Sequence, residues 1–153
     1  MLKRVDILLI TLTSPILIGV YEDHKLIETI ETREKSSDIL PLIFKDIMEK
    51  YEIRNLFYAN GPGSFMAIKV AYIFLKSLSV IKGIPLYARD AFYFNENQPI
   101  KAIGKLCFVK IASKIETQKF QTVPEVKFKL PDELDYKEFS TNATPLYKIG
   151  AVG

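Results

Sequence analysis

The feature that most constrains this chain is "NGPGSFMAIKVAYIFLKSLSVIKGIP", residues 60–85. It opens on the most turn-prone chemistry in the sequence and continues as its most apolar stretch. Residues 65–82 hold neither glycine nor proline, which predicts a helix about 27 Å long. Ser64 stands where an N-cap belongs, Gly83 where a left-handed C-terminal residue belongs, and Pro85 follows, so both ends are punctuated. Gly61 and Gly63 permit the φ values needed where a strand turns sharply into a helix.

Two apolar seams run along this helix. One is Ala67, Ala71, Phe74, Leu78 and Ile81; the other is Met66, Val70, Ile73, Ser77 and Val80. Lys69 and Lys76 mark a narrow polar ridge. A helix lying on one face of a sheet needs a single apolar stripe. The alanine-lined seam is expected against the sheet, because small residues allow close approach, and the lysine-flanked seam outward. An uncovered stripe that long is an aggregation hazard on a monomer. Either more of the same chain covers the second seam or a partner does; the plausible elements after residue 88 are strands, so the expectation is a protein–protein interface, with cover by the chain itself as the alternative.

The flanking segments supply the rest of a layered α/β domain. Residues 5–11, 16–22 and 25–31 read as a three-stranded antiparallel meander, the last alternating apolar and polar. Residues 38–51 predict a helix with Asp38 as N-cap and Pro41 in the first turn. Its stripe is Leu40, Phe44, Ile47 and Tyr51, with Ile39, Ile43 and Met48 alongside and Leu42 on the polar side. Placed beside the outward seam of the second helix, it gives an expected partner interface of Ile39, Leu40, Ile43, Phe44, Ile47, Met66, Lys69, Val70, Ile73, Ser77 and Val80. Strands are expected at 55–60 and 84–88, a lysine-bearing strand pair at 100–112 and 115–129, a loop or short helix at 131–139, and a closing strand in "ATPLYKIG".

Composition excludes much chemistry. Cys107 is the only cysteine and His24 the only histidine, so an internal disulfide, a Ser-His-Asp triad and a His/Cys zinc cluster have no residues to build them. Cys107 reads as a small buried hydrophobe, in keeping with a reducing, cytoplasmic setting. His24 reads as a surface turn residue. Asp132, Glu133 and Asp135 read as a solvated loop rather than a metal site. The net charge of +3, without a Lys/Arg block, gives no sign of direct nucleic-acid binding. The apolar N-terminus is broken by Asp6, Thr11, Thr13, Ser14 and Pro15, unlike a signal peptide or a membrane span. A phosphate cradle at "GPGSF" is disfavoured: Pro62 removes an N–H and no Lys-Ser/Thr pair follows. The turn is therefore read as structural, with Gly61, Pro62, Gly63 and Ser64 as turn and cap.

The ordered set "ILLITLTS", "KSSDILPLI", "GPGSF" and "GIPLYA" resembles the TsaB family, also called YeaZ, over residues 5–90, with "TPLYKIG" near the end. The resemblance implies an actin/Hsp70/sugar-kinase-like (ribonuclease H-like) lobe at 1–90 and a reduced β-rich second lobe at 91–153. It implies a non-catalytic subunit, without cofactor or metal, that dimerises with TsaD through the two helices after the meander. TsaE joins them, and TsaD transfers a threonylcarbamoyl group to the adenosine next to the anticodon. tRNA is then met only through the complex, and the free chain could form a homodimer. The chain departs from the family pattern at Thr11, where an acidic residue is usual, and at Met66, Ala67, Lys69 and Ala71, and it is shorter than typical members. A small-molecule kinase or ATPase on the same fold is a rival reading, but it needs carboxylates to hold Mg²⁺, and Thr11 cannot serve. A standalone homodimeric regulatory protein is another.

Overall fold

The computed structural model describes residues 1–125 and 127–147. The meander forms as β1 (Lys3–Ile10), β2 (Ile16–Glu22) and β3 (Lys25–Thr32). The chain continues through α1 (Ser36–Lys50), β4 (Tyr51–Ala59), α2 (Phe65–Lys82) and β5 (Leu86–Arg89). These strands make one sheet in the order β3-β2-β1-β4-β5, with β4 parallel to β1 and β5 parallel to β4. The turn at Asp23 and His24 places both residues at positive φ (48° and 69°), the conformation that matches hairpin twist.

The N-terminus of α1 differs from expectation. The cap position is Lys35, with no side-chain capping bond, and Asp38 lies in the first turn, where its carboxylate faces the positive end of the helix dipole. Pro41 is consequently inside the helix and forgoes a backbone bond. Strand β4 begins earlier than expected, at Tyr51, because its first half pairs with Lys3–Val5; Arg54 falls at a bulge in that ladder. Polar residues in that first half disguise it in the sequence.

The sheet is apolar on both sides. Val5, Ile7 and Leu9 of β1 point to one face, with Ile16, Ile18, Val20, Leu56 and Tyr58. Leu40, Phe44 and Ile47 of α1 and Ala71 and Leu75 of α2 cover this face, and Phe44 meets Phe74 edge-on at 5.0 Å. Each leucine, isoleucine or phenylalanine among them contributes roughly 1.5–3 kcal/mol on full burial. Leu8, Ile10, Leu17, Tyr21, Phe57 and Ala59 point to the other face, where Phe94, Leu130, Leu134 and Phe139 cover them.

The covering segment, residues 130–146, is a strap without regular strands. At one end Leu26 N–H donates to Asp132 O and Leu134 N–H to His24 O, closing the start of the β3 edge. At the other, Ala88 and Ser140 exchange two backbone bonds along the β5 edge, and Leu146 N–H reaches Asn60 O. Exposed strand edges invite pairing with other chains, and the strap blunts both. The expected strand pair is shorter than its apolar run: β6 (Ile100–Lys101), β7 (Leu106–Ile111) and β8 (Lys114–Lys119) form a small sheet, broken at Gly104, whose φ is 58°. The expected closing strand is absent over residues 143–147, where Pro145 offers no N–H to a ladder; the remainder of that stretch lies outside the described residues. No helix among the described residues is long and apolar enough to cross a membrane.

Candidate docking surface

The turn at the mouth of α2 is locked by short-range chemistry. Asn60, Gly61 and Pro62 are buried. Gly61 has φ 119°, and a Cβ there would meet Leu146 O at 2.7 Å and Ile68 Cδ1 at 2.9 Å, so only glycine fits. Ser64 caps the helix, its Oγ accepting from Ala67 N–H at 3.4 Å. Thr11, at the position read against an acidic family residue, is buried and donates its hydroxyl to Ala67 O at 3.1 Å. It fastens the β1–β2 loop to the first turn of α2. Gly61 and Ser64 of "GPGS" thus each have a local structural role. Gly83 closes the helix in the left-handed region, φ 66°.

Helix α2 is rotated from the expected setting. The side against the sheet is Ile68, Ala71 and Leu75, with Tyr72, Phe74 and Leu78 partly buried behind them. Ile81, assigned to the sheet-facing seam, is 77% exposed. Apolar residues nearly surround this helix, so periodicity alone leaves its rotation open. Bulkier Ile68 and Leu75 fill the pleat better than Ala67 and decide it.

The seam expected to face outward does so: Met66, Ile73 and Val80 are 60%, 53% and 70% exposed. Val70 is half-buried, and Lys69 and Ser77 are exposed beside them. Lys69 extends its ammonium over the Phe65 ring, 5.9 Å from the centroid. Ile73, Val70 and Ser77 form one wall of a groove of about 380 Å³, and Ser36, Ser37 and Pro41 of α1 form the other, with Phe74 at the floor.

The α1 contribution needs correction. Leu40, Phe44 and Ile47 were expected at the partner interface, but the protein's own sheet buries them. An amphipathic helix has one stripe to spend, and in α1 the sheet takes it. Ile39 and Ile43 remain half-buried. Leu42, from the opposite side of α1, is exposed, and Ile81 extends the α2 ridge; neither belonged to the expected interface. For Ile81 the signal was its place directly after Val80 at the end of an almost wholly apolar helix.

His24 and Cys107 occupy settled positions. His24 Nδ1 is 3.1 Å from Leu134 O, and its ring packs 4.6 Å from that of Tyr136. Cys107 is enclosed, and burial pushes its thiol pKa up, against nucleophilic use. Asp132, Glu133 and Asp135 are exposed, and Asp135 accepts from Lys137 N–H within the strap.

No protein-family model and no curated protein matches this sequence. Solved structures do match. YeaZ from Pseudomonas aeruginosa superposes with a TM-score of 0.58 at 12% identity, over 78% of this chain and 67% of that one. A second crystal structure, of an uncharacterised protein similar to the peptidase YeaZ from Pseudomonas aeruginosa, gives 0.55 at 12% identity, over 84% of this chain and 64% of that one. Identity at that level speaks for the backbone and not for the chemistry: the chain is an α/β protein that shares the fold of the YeaZ structures.

Proposed function

We propose that this chain is a non-catalytic scaffold subunit that dimerises with TsaD and helps recruit TsaE for threonylcarbamoylation of the adenosine next to the anticodon. The observation that carries the reading is the exposed apolar ridge of α2, Met66, Ile73, Val80 and Ile81, beside the groove against α1. The fold shared with YeaZ structures and the ordered sequence stretches support the choice of partner. A standard interface buries about 800 Å² on each side, which a helix of this length and its neighbour can supply. In this account α2 carries most of the contact and α1 contributes its first turn, Ile39 and Ile43. tRNA is met through the complex.

The test is co-expression of this chain with TsaD from the same organism. The expected product is a stable heterodimer on purification, lost with Val70→Glu. A heterodimer unaffected by Val70→Glu rejects the docking face. Nucleotide hydrolysis by the purified chain alone would favour the kinase or ATPase reading instead.

A further inference from the structure

The net charge of +3 conceals an uneven partition. Residues 100–129 hold seven lysines and two glutamates, whereas the rest of the chain holds 14 Lys/Arg and 16 Asp/Glu. The positive excess therefore lies in the small sheet β6–β8 and the segment that follows it. No run of lysines marks it in the sequence, because single lysines are spaced among apolar and polar residues.

The fold gathers these lysines. Lys101 of β6 stands opposite Cys107 of β7, and Cys107 opposite Gln118 of β8, so Lys101 and Lys119 lie at the same end of the sheet. Lys105 is at that end too, its carbonyl accepting from Phe120 N–H at 2.8 Å. Lys114 begins β8 at the other end, about 17 Å from Lys119. Phe128 packs on the cluster of Ile100 and Phe108 and brings Lys127 and Lys129 to the same sheet. Lys110 is neutralised by Asp90 at 2.7 Å. The other six are exposed, and none has a carboxylate within ion-pair distance among the described residues.

Edge protection does not account for them. Only Lys114 and Lys119 stand on the edge strand β8, and charge of either sign can guard an edge. Six unpaired charges of one sign on so small a sheet repel one another, and an extended polyanion relieves that repulsion along its length. A membrane surface fits less well. The exposed Ile103 and Ile111 sit at opposite ends of the β7 hairpin, whereas membrane insertion needs apolar side chains grouped on one face.

We propose that β6–β8 with residues 127–129 is a contact surface for the phosphate backbone of RNA. Phosphates need no enclosed pocket: each takes a lysine ammonium as a point charge, and counterions are released. Such contacts position a nucleic acid without reading its bases. The choice of RNA over DNA rests on the function proposed above. The surface shares no residue with the α2 ridge or the α1–α2 groove, so docking and RNA contact can fail separately.

The test titrates the full chain, free of partners, into fluorescently labelled bulk tRNA, read by anisotropy at about 50 mM and about 200 mM KCl. Saturable binding is expected at the lower salt with a Kd of about 1–100 µM, weakened at least about tenfold at the higher. Lys101→Gln with Lys119→Gln should weaken binding about tenfold and lower the slope of log K against log salt by about two. Lys101→Arg with Lys119→Arg should preserve both. Lys45→Gln with Lys76→Gln removes the same charge from exposed positions on α1 and α2 and should cost less than about twofold. Co-purification with TsaD should be unaffected by the Lys101 and Lys119 changes. Absence of binding at the lower salt, indifference to salt, or equal losses from the two glutamine pairs overturns the proposal. Tighter binding to duplex DNA or to phosphatidylserine vesicles than to tRNA overturns it as well.

Discussion

The two faces of the large sheet are closed by opposite means. Helices α1 and α2 cover one face with periodic apolar side chains, and the contact is dispersion and burial, as in the edge-on Phe44–Phe74 pair. The strap covers the other with a few large plugs, Leu130, Leu134 and Phe139, held by polar ties. Tyr21 donates its hydroxyl to Pro131 O at 2.7 Å. Tyr136 donates to the Asp6 carboxylate, which also accepts from Asn55 Nδ2 at 2.8 Å. Arg89 Nη1 reaches Glu138 O at 3.1 Å. An irregular segment can therefore seal an apolar sheet face when buried hydroxyls and carbonyls fix its position. The helical face carries fewer such ties, the Thr11 hydroxyl to Ala67 O and the Tyr58 hydroxyl to Ala143 O, and it leaves α2 with an unspent apolar ridge.

The largest effects should separate the two faces. Leu75→Ala and Leu134→Ala each remove a fully buried leucine, at about 2–5 kcal/mol. In hydrogen exchange, Leu75→Ala should lower protection throughout the sheet. Leu134→Ala should first expose the strap and the β3 edge. The same protection pattern in both variants would erase the distinction.

The polar ties come next. Tyr136→Phe leaves the buried Asp6 short of one donor and should cost about 1–3 kcal/mol. It also has a pH signature. Burial first, and then the Asp6 hydrogen bond, push the Tyr136 phenol up to about 12, against about 10 in an unfolded chain. Between those values the unfolded chain loses this proton and the folded chain keeps it, so stability falls as pH rises through the window. Tyr21 and Tyr58, also raised chiefly by burial, add to the same slope. Urea unfolding at about pH 9 and about pH 11 should show the loss, and Tyr136→Phe should reduce it. A smaller effect is expected at the helical face from Ser64→Ala, about 0.5–2 kcal/mol through loss of the α2 cap, measurable by thermal unfolding.

This contrast also explains what the sequence revealed. The meander, the full extent of α2, and its cap and terminator follow from apolar period and from Ser64 and Gly83, because those signals are local. The outward seam of Met66, Ile73 and Val80 was legible for the same reason. The rotation of α2 was not, since a helix apolar nearly all round carries little directional signal. The strap was not, because Leu130, Leu134 and Phe139 have no regular spacing and their partners lie far away in the chain, as Tyr136 lies from Asp6.

The smallest expected effect on folding bears most on function. Ile73→Glu alters a side chain that is already half in solvent, so the stability of the free chain should change by no more than about 0.5 kcal/mol. Sedimentation of this variant with TsaD, alongside its melting curve, is the most direct test. The account predicts an unchanged melting temperature and no heterodimer; a full heterodimer, or loss of binding only because the chain unfolds, would contradict it.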